Sequence, residues 1–237
     1  MAKLELKLEG RVAVVTMNEN DNRLNLDMCT SFLDMLDRIE KETDASTLVV
    51  KSGHGWIWSY GFDTDWVDRM IEVGNKEIVA KFLLKGIELR KRLLTYPMIT
   101  IAAINGHVYG GAAVLACCFD YRFMRSDRGF FCIPAIDRNY PVIPGTVALL
   151  RKVLPAYLVD EAILTGKRYT GTECAEHHII AATYPDNVLM DKVMAFADGL
   201  NRGRGIIGEM KRVRNAHITR LMEGEDRRHI ERGEVRV

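Results

Sequence analysis

The stretch Ile99–Asp120, ITIAAINGHVYGGAAVLACCFD, constrains the fold more than any other part of the chain. It opens on the apolar, partly β-branched run Ile99–Ile104, which reads as a buried strand. Asn105-Gly106 breaks that run, and Gly110-Gly111 precedes a small-residue segment, Ala112–Cys118, suited to a tightly packed helix. A strand that stops at glycines and restarts as a helix leaves the first helical N–H groups without partners. Such a terminus can hold an anion or a developing oxyanion, and glycine lets a ligand come close to the backbone.

A second break of this kind lies in Trp56–Asp63, WIWSYGFD, a strand-like run interrupted at Gly61 ahead of a helical segment. If the two breaks converge, Phe62 and Gly111 supply a two-donor oxyanion hole. Asp63 is placed to cap the helix that follows, and core packing accounts for Trp56 and Trp58.

Around these breaks the chain alternates strands and helices. Leu4, Leu6 and Leu8 alternate with charged residues, and Gly10-Arg11 turns that strand into Val12–Met17. A helix is expected from Leu26 to about Glu42, a strand over Leu48–Ser52, and helices over Asp65–Gly74 and Ile78–Thr95. Strands follow at Tyr121–Met124 and Gly129–Ile133, then a structured loop, Pro134–Gly145, that holds three of the six prolines. Helices dominate the last third, and the charged tail from Glu223 reads as loose. Strand, strand, helix units in a mixed α/β chain, with no repeat and no linker, fit one large domain, or one domain with a small appendage, at 237 residues.

Composition excludes several functions. A net charge of +1 gives no reason to expect nucleic acid or an anionic membrane as partner, although Lys211–Arg214 is a local basic cluster. No run approaches the ~18 apolar residues of a membrane span. The five cysteines form no CxxC pair and point to a reducing compartment. Met1–Glu5 lacks a signal-peptide core and Glu234–Val237 is not a peroxisomal address, so a cytoplasmic location is expected. A phosphate loop, GxGxxG, HExxH and GxSxG are absent, and the neighbours His177 and His178 make a poor metal pair, so no metal is expected. His107 fits a packed turn histidine better than a base, and Asp120 fits a structural acceptor. Asp137, beside Tyr140 in the proline-bracketed loop, is a possible pocket carboxylate.

Ile101–Asp120 resembles the A-x-N-G-x-x-x-G-G-G-x-x-L-x-x-x-C-D signature of the crotonase superfamily, the enoyl-CoA hydratase/isomerase family. Trp58–Asp63 resembles its F-[SC]-x-G-x-D block, Leu164–Thr170 its L-T-G-[RK]-x-[FY]-[TS] block, and Asn22–Leu26 its early N-x-x-N-A-L element. The resemblance implies a spiral of ββα units over 1–190 with a helical C-terminal trimerisation segment over 191–237. It further implies a homotrimer or a dimer of trimers. An acyl-CoA thioester would bind with its carbonyl between the Phe62 and Gly111 N–H groups, coenzyme A entering as part of the substrate and not as a separate cofactor. Arg23, the Ser59-Tyr60-Gly61-Phe62-Asp63 turn and Gly110-Gly111 would hold it.

The chain departs from the family pattern at both usual glutamates. Val114 stands three residues beyond the second hole glycine, and Ala135 stands where the P-E-[VI]-D loop carries its glutamate. Ordinary hydration needs an acid and a base on a positioned water. Isomerase-type enolate chemistry is therefore the expected activity, with Asp137, Tyr140 or His107 moving the proton. If the loop is extended, Asp137 shares a face with position 135. The alternative is a catalytically impaired acyl-CoA-binding protein.

Overall fold

The computed structural model describes residues 2–235. The readings of the chain ends that involve Met1, Arg236 and Val237 lie outside the described residues. Two sheets organise the chain. In the larger, the order is β1 (Leu4–Glu9), β2 (Val12–Met17), β3 (Thr47–Ser52), β5 (Ile99–Ile104), β7 (Tyr121–Arg125) and β10 (Ala182–Tyr184), parallel except for the β1–β2 hairpin. In the smaller, the order is β4 (Ile57–Ser59), β6 (His107–Tyr109), β8 (Phe130–Cys132) and β9 (Arg168–Thr170), with only β8–β9 antiparallel. Each of the pairs β3–β4, β5–β6 and β7–β8 steps from the first sheet to the second before a helix follows.

The central strands carry no polar alternation because both faces of the large sheet are covered. Val15, Val50, Ala102 and Ile104 pack into the main core together with α1 (Leu26–Glu42) and α3 (Lys76–Leu94). Val14, Val49, Ile101 and Ala103 face the other way, onto Leu189, Val193 and Ala197 of α8 (Asp186–Asp198). The helices α2 (Thr64–Glu72), α4 (Gly111–Ala116), α5 (Pro144–Val153), α6 (Ala156–Thr165), α7 (Gly171–Glu176), α9 (Arg204–Leu221) and α10 (Arg227–Glu231) complete the chain. A division at residue 190 falls inside α8.

Two expectations are corrected. His107 opens β6 rather than sitting in a turn, and β6, β9 and β10 are each too short, at 3 residues, to leave a periodic signal. The chain continues helical from Glu223 to Glu231: a π-helical turn, Met222–Asp226, leads into α10. Met222, Asp226 and Ile230 recur every four residues and are buried, a pattern masked by the charged residues between them.

Asp120 ties the C-terminal helix to the sheet. It accepts bonds from the Thr100 N–H (2.9 Å) and hydroxyl (3.0 Å), Lys211 Nζ (2.7 Å) and Arg214 Nη2 (2.8 Å). Nearby, Lys152 Nζ donates to the carbonyls of Cys117 (3.1 Å) and Phe119 (3.3 Å), just past the end of α4. Burial pulls the Lys152 ammonium down to about 8, and Arg122 adds to the effect. The unfolded chain, with an ordinary lysine near 10.5, binds more protons between those two values, so stability should rise with pH across that window. Denaturant melts of the wild type minus those of Lys152→Met, taken from pH 7 to 11, should show the rise; parallel curves would contradict it.

Candidate functional site

The polar stretch before α1 supports the donor turns. Asn22, buried and at φ +49, donates from its side-chain amide to Ser52 Oγ (2.9 Å) and the Trp58 carbonyl (3.0 Å). Ser59 Oγ donates to the Asn22 carbonyl at 2.6 Å and accepts from the Gly61 N–H at 3.2 Å. The Leu24 N–H donates to the Gly61 carbonyl (2.6 Å), and the Asp63 N–H to the Leu24 carbonyl (2.9 Å). Asp63 caps α2, its Oδ1 accepting from the Trp66 N–H at 3.1 Å. Ser59 and Asp63 are thus spent on bracing the turn, and neither lines the cavity described next.

The two glycine breaks meet because β4 and β6 are parallel neighbours that end level with each other, Ser59 pairing with Val108. At Gly61, φ +83, an added Cβ would lie 2.4 Å from the Tyr109 carbonyl oxygen and 2.8 Å from Gly111 N. At Gly111 it would lie 2.7 Å from the Phe62 ring. Only glycine permits this approach. The N–H groups of Phe62 and Gly111 have no acceptor among the described residues, Gly111 being the first residue of α4.

Phe62 and Gly111 line one cavity of about 360 Å³. Arg23, Tyr60 and Gly110 line it too, as do Val114 and Ala135. Gly61 stands behind the lining, against Gly111. Arg23 is held by Asp65 (3.0 Å) with its guanidinium 6.0 Å from the Tyr60 ring centre. No carboxylate side chain among the described residues lines the cavity. Its titratable groups are arginines, three tyrosines (Tyr60, Tyr109, Tyr140) and Cys29, whose thiol burial pushes up to about 12.

Asp137 and His107 lie elsewhere. The loop after β8 is turned, not extended: the Arg138 N–H donates to the Pro134 carbonyl (3.3 Å) and the Tyr140 N–H to that of Ala135 (2.9 Å). Pro134 and Arg138 therefore share the cavity face, while Asp137 is exposed and its carboxylate packs against Gly166. The alternation that paired 135 with 137 does not hold in a turn. His107 packs on Phe130 (5.3 Å) and Tyr109 (6.1 Å), away from the lining, and burial lowers its pKa. Tyr140 does line the cavity; burial first, then Asp68, raise its phenol above the usual value.

Arg90 and Thr146 are lining residues that pattern reading missed, because α3 reads as a core helix. A signal was available in Gly86, a helix-interior glycine one turn before Arg90 on the same face.

Two sheets built from ββα steps, with two main-chain donors that lack an acceptor among the described residues opening on one cavity, define a class of fold and site. The chain belongs to the enoyl-CoA hydratase/isomerase family, whose model matches residues 7–233. It is 29% identical over 185 residues to enoyl-CoA delta isomerase 3 of Arabidopsis thaliana, covering 77% of each chain. Over 198 residues it is 28% identical to a putative enoyl-CoA hydratase of Thermus thermophilus, covering 80% of this chain and 74% of that protein. In fold it is similar to human mitochondrial delta3-delta2-enoyl-CoA isomerase, with a TM-score of 0.87 at 18% identity over 98% of this chain and 90% of that one. Among the described residues no helix is long and apolar enough to cross a membrane.

Proposed function

We propose that the cavity binds an enoyl-CoA thioester, with its carbonyl oxygen between the N–H groups of Phe62 and Gly111, and that the protein moves a double bond through an enolate. The observation that carries this reading is the approach of Gly61 to Gly111, which turns both unpaired donors onto one cavity. Two fixed donors stabilise charge that appears only as the α-proton leaves. The isomerase relatives support the direction of the chemistry. Arg23, Tyr60 and Gly110 would contact the thioester and its coenzyme A part, and no separate cofactor is invoked. Val114 and Ala135 are read as replacements of the family glutamates. An apolar stripe on α9, Ile206, Met210 and Val213, 56% to 75% exposed, supports self-association, a trimer being the form proposed.

Among Asp137, His107 and Tyr140, only Tyr140 reaches the cavity, and its phenol is assigned the proton transfer. With its pKa raised, little of it is ionised near neutrality, so the reaction is slow there and gains tenfold per pH unit while the phenolate is the minor form. Exchange of the α-proton of a 3-enoyl-CoA in deuterium oxide tests this. Gly111→Val should abolish exchange, and Tyr140→Phe should lower it by roughly a hundredfold or more and remove the alkaline rise. Unchanged exchange in Gly111→Val would end the oxyanion assignment; unchanged exchange in Tyr140→Phe would end the assignment of the proton carrier.

A further inference from the structure

Away from the donor turns, the cavity has a wall whose chemistry the thioester does not use. It is built by Gly86 and Arg90 of α3, Ile143 and Thr146 around the start of α5, and Ile230 of α10. Phe82 of α3 touches Phe62, with ring centres 5.3 Å apart. Arg90 lies eight residues further along the same helix, about 12 Å by helical rise.

Arg90 spends two of its donor groups on neutral acceptors: Nε on the Gly86 carbonyl (3.2 Å) and Nη1 on Thr146 Oγ1 (3.3 Å). Its Nη2 has no hydrogen-bond partner among the described residues, and no carboxylate among them forms an ion pair with it. Asp226, a carboxyl that feels the Arg90 charge through space, is fully buried, with one oxygen accepting from the Gly145 N–H at 2.8 Å and the other without a partner among the described residues. Thr146 accepts from Arg90, which leaves its own hydroxyl proton free to donate. Beside them Gly86 leaves a notch, since an added Cβ would meet nothing within 4 Å. A helix-interior glycine is unfavourable relative to alanine unless space is needed.

A guanidinium that lines a cavity with one donor group unused and no carboxylate in direct contact, next to a free hydroxyl and an open notch, is arranged to receive an anion at a fixed depth. We infer that Arg90 and Thr146 bind a carboxylate at the far end of the acyl chain, so that the preferred substrates are CoA thioesters of dicarboxylic acids. This inference rests on the acyl-CoA reading. It assigns Arg90 to specificity, not to proton movement.

The test compares adipoyl-CoA with hexanoyl-CoA, and suberoyl-CoA with octanoyl-CoA, by calorimetric titration of the full chain. One of the carboxylated thioesters should bind roughly 10- to 100-fold more tightly than its methyl-ended counterpart, the discrimination of a charge-assisted hydrogen bond. In Arg90→Met that ratio should collapse towards unity, and Thr146→Val, which keeps the shape, should lower it in part. No preference in the wild type, or one that persists in Arg90→Met, overturns the inference while leaving the acyl-CoA reading in place. Failure of all four thioesters to bind removes the acyl-CoA reading and the inference with it.

Discussion

Ala135→Glu should raise the rate of α-proton exchange by roughly a hundred- to ten-thousand-fold near neutral pH, the usual contribution of a positioned general base. Ala135 already lines the cavity, packed against the main core, so a longer side chain there would enter the space proposed for the thioester. A carboxylate is ionised at neutrality, whereas a phenol with a raised pKa is not. The variant should therefore also lose the steep alkaline rise expected of the wild type, because its base is fully active from about pH 6 upward. Stopped-flow or isotope-exchange rates from pH 6 to 10 check both points. A folded variant that binds acyl-CoA and gains no rate would show that a carboxylate at position 135 does not limit the chemistry.

Asp120→Asn should cost about 3–5 kcal/mol, the price of leaving a buried charge without its partner. Lys211 is 4% exposed, and besides Asp120 its ammonium has only the Met98 carbonyl, at 3.1 Å. At roughly 2–4 °C per kcal/mol for a domain of this size, the melting temperature should fall by roughly 6–20 °C. Burial alone would raise the Asp120 carboxyl; Lys211, the Thr100 N–H and Arg214 together hold it below its ordinary 3.8. Its contribution is therefore present above that pH and is lost as acid takes it through the lowered value. Replacing the partner instead, Lys211→Met, should cost less, since Asp120 keeps Thr100 and Arg214. Equal losses in the two variants would argue against an unpaired lysine as the cause.

Much of this is legible in the amino-acid sequence itself. The strand, glycine and helix pattern of Ile99–Asp120 and the capping role of Asp63 depend on neighbours in sequence, and local chemistry decides them. Convergence of Gly61 with Gly111 was legible only as a condition. It requires β4 to pair with β6, and a three-residue strand carries too little pattern to show its partner. Asp137 was misplaced by assuming an extended loop. Two prolines in Pro134–Tyr140 and its flank had already favoured a turn, in which residues four apart share a side. Arg90 was hidden because one cation on an amphipathic helix looks like any solvated charge, and only the fold reveals that it faces a cavity.

The helical tail carries a practical consequence. Ile230 and Val235 form part of the cavity wall, so this segment would help set how long an acyl group fits in the proposed site. An affinity tag fused after Val237, or a truncation before Arg227, would change the profile of accepted chain lengths without touching the donor turns. Preparations tagged at opposite ends could then give two different selectivities for one protein.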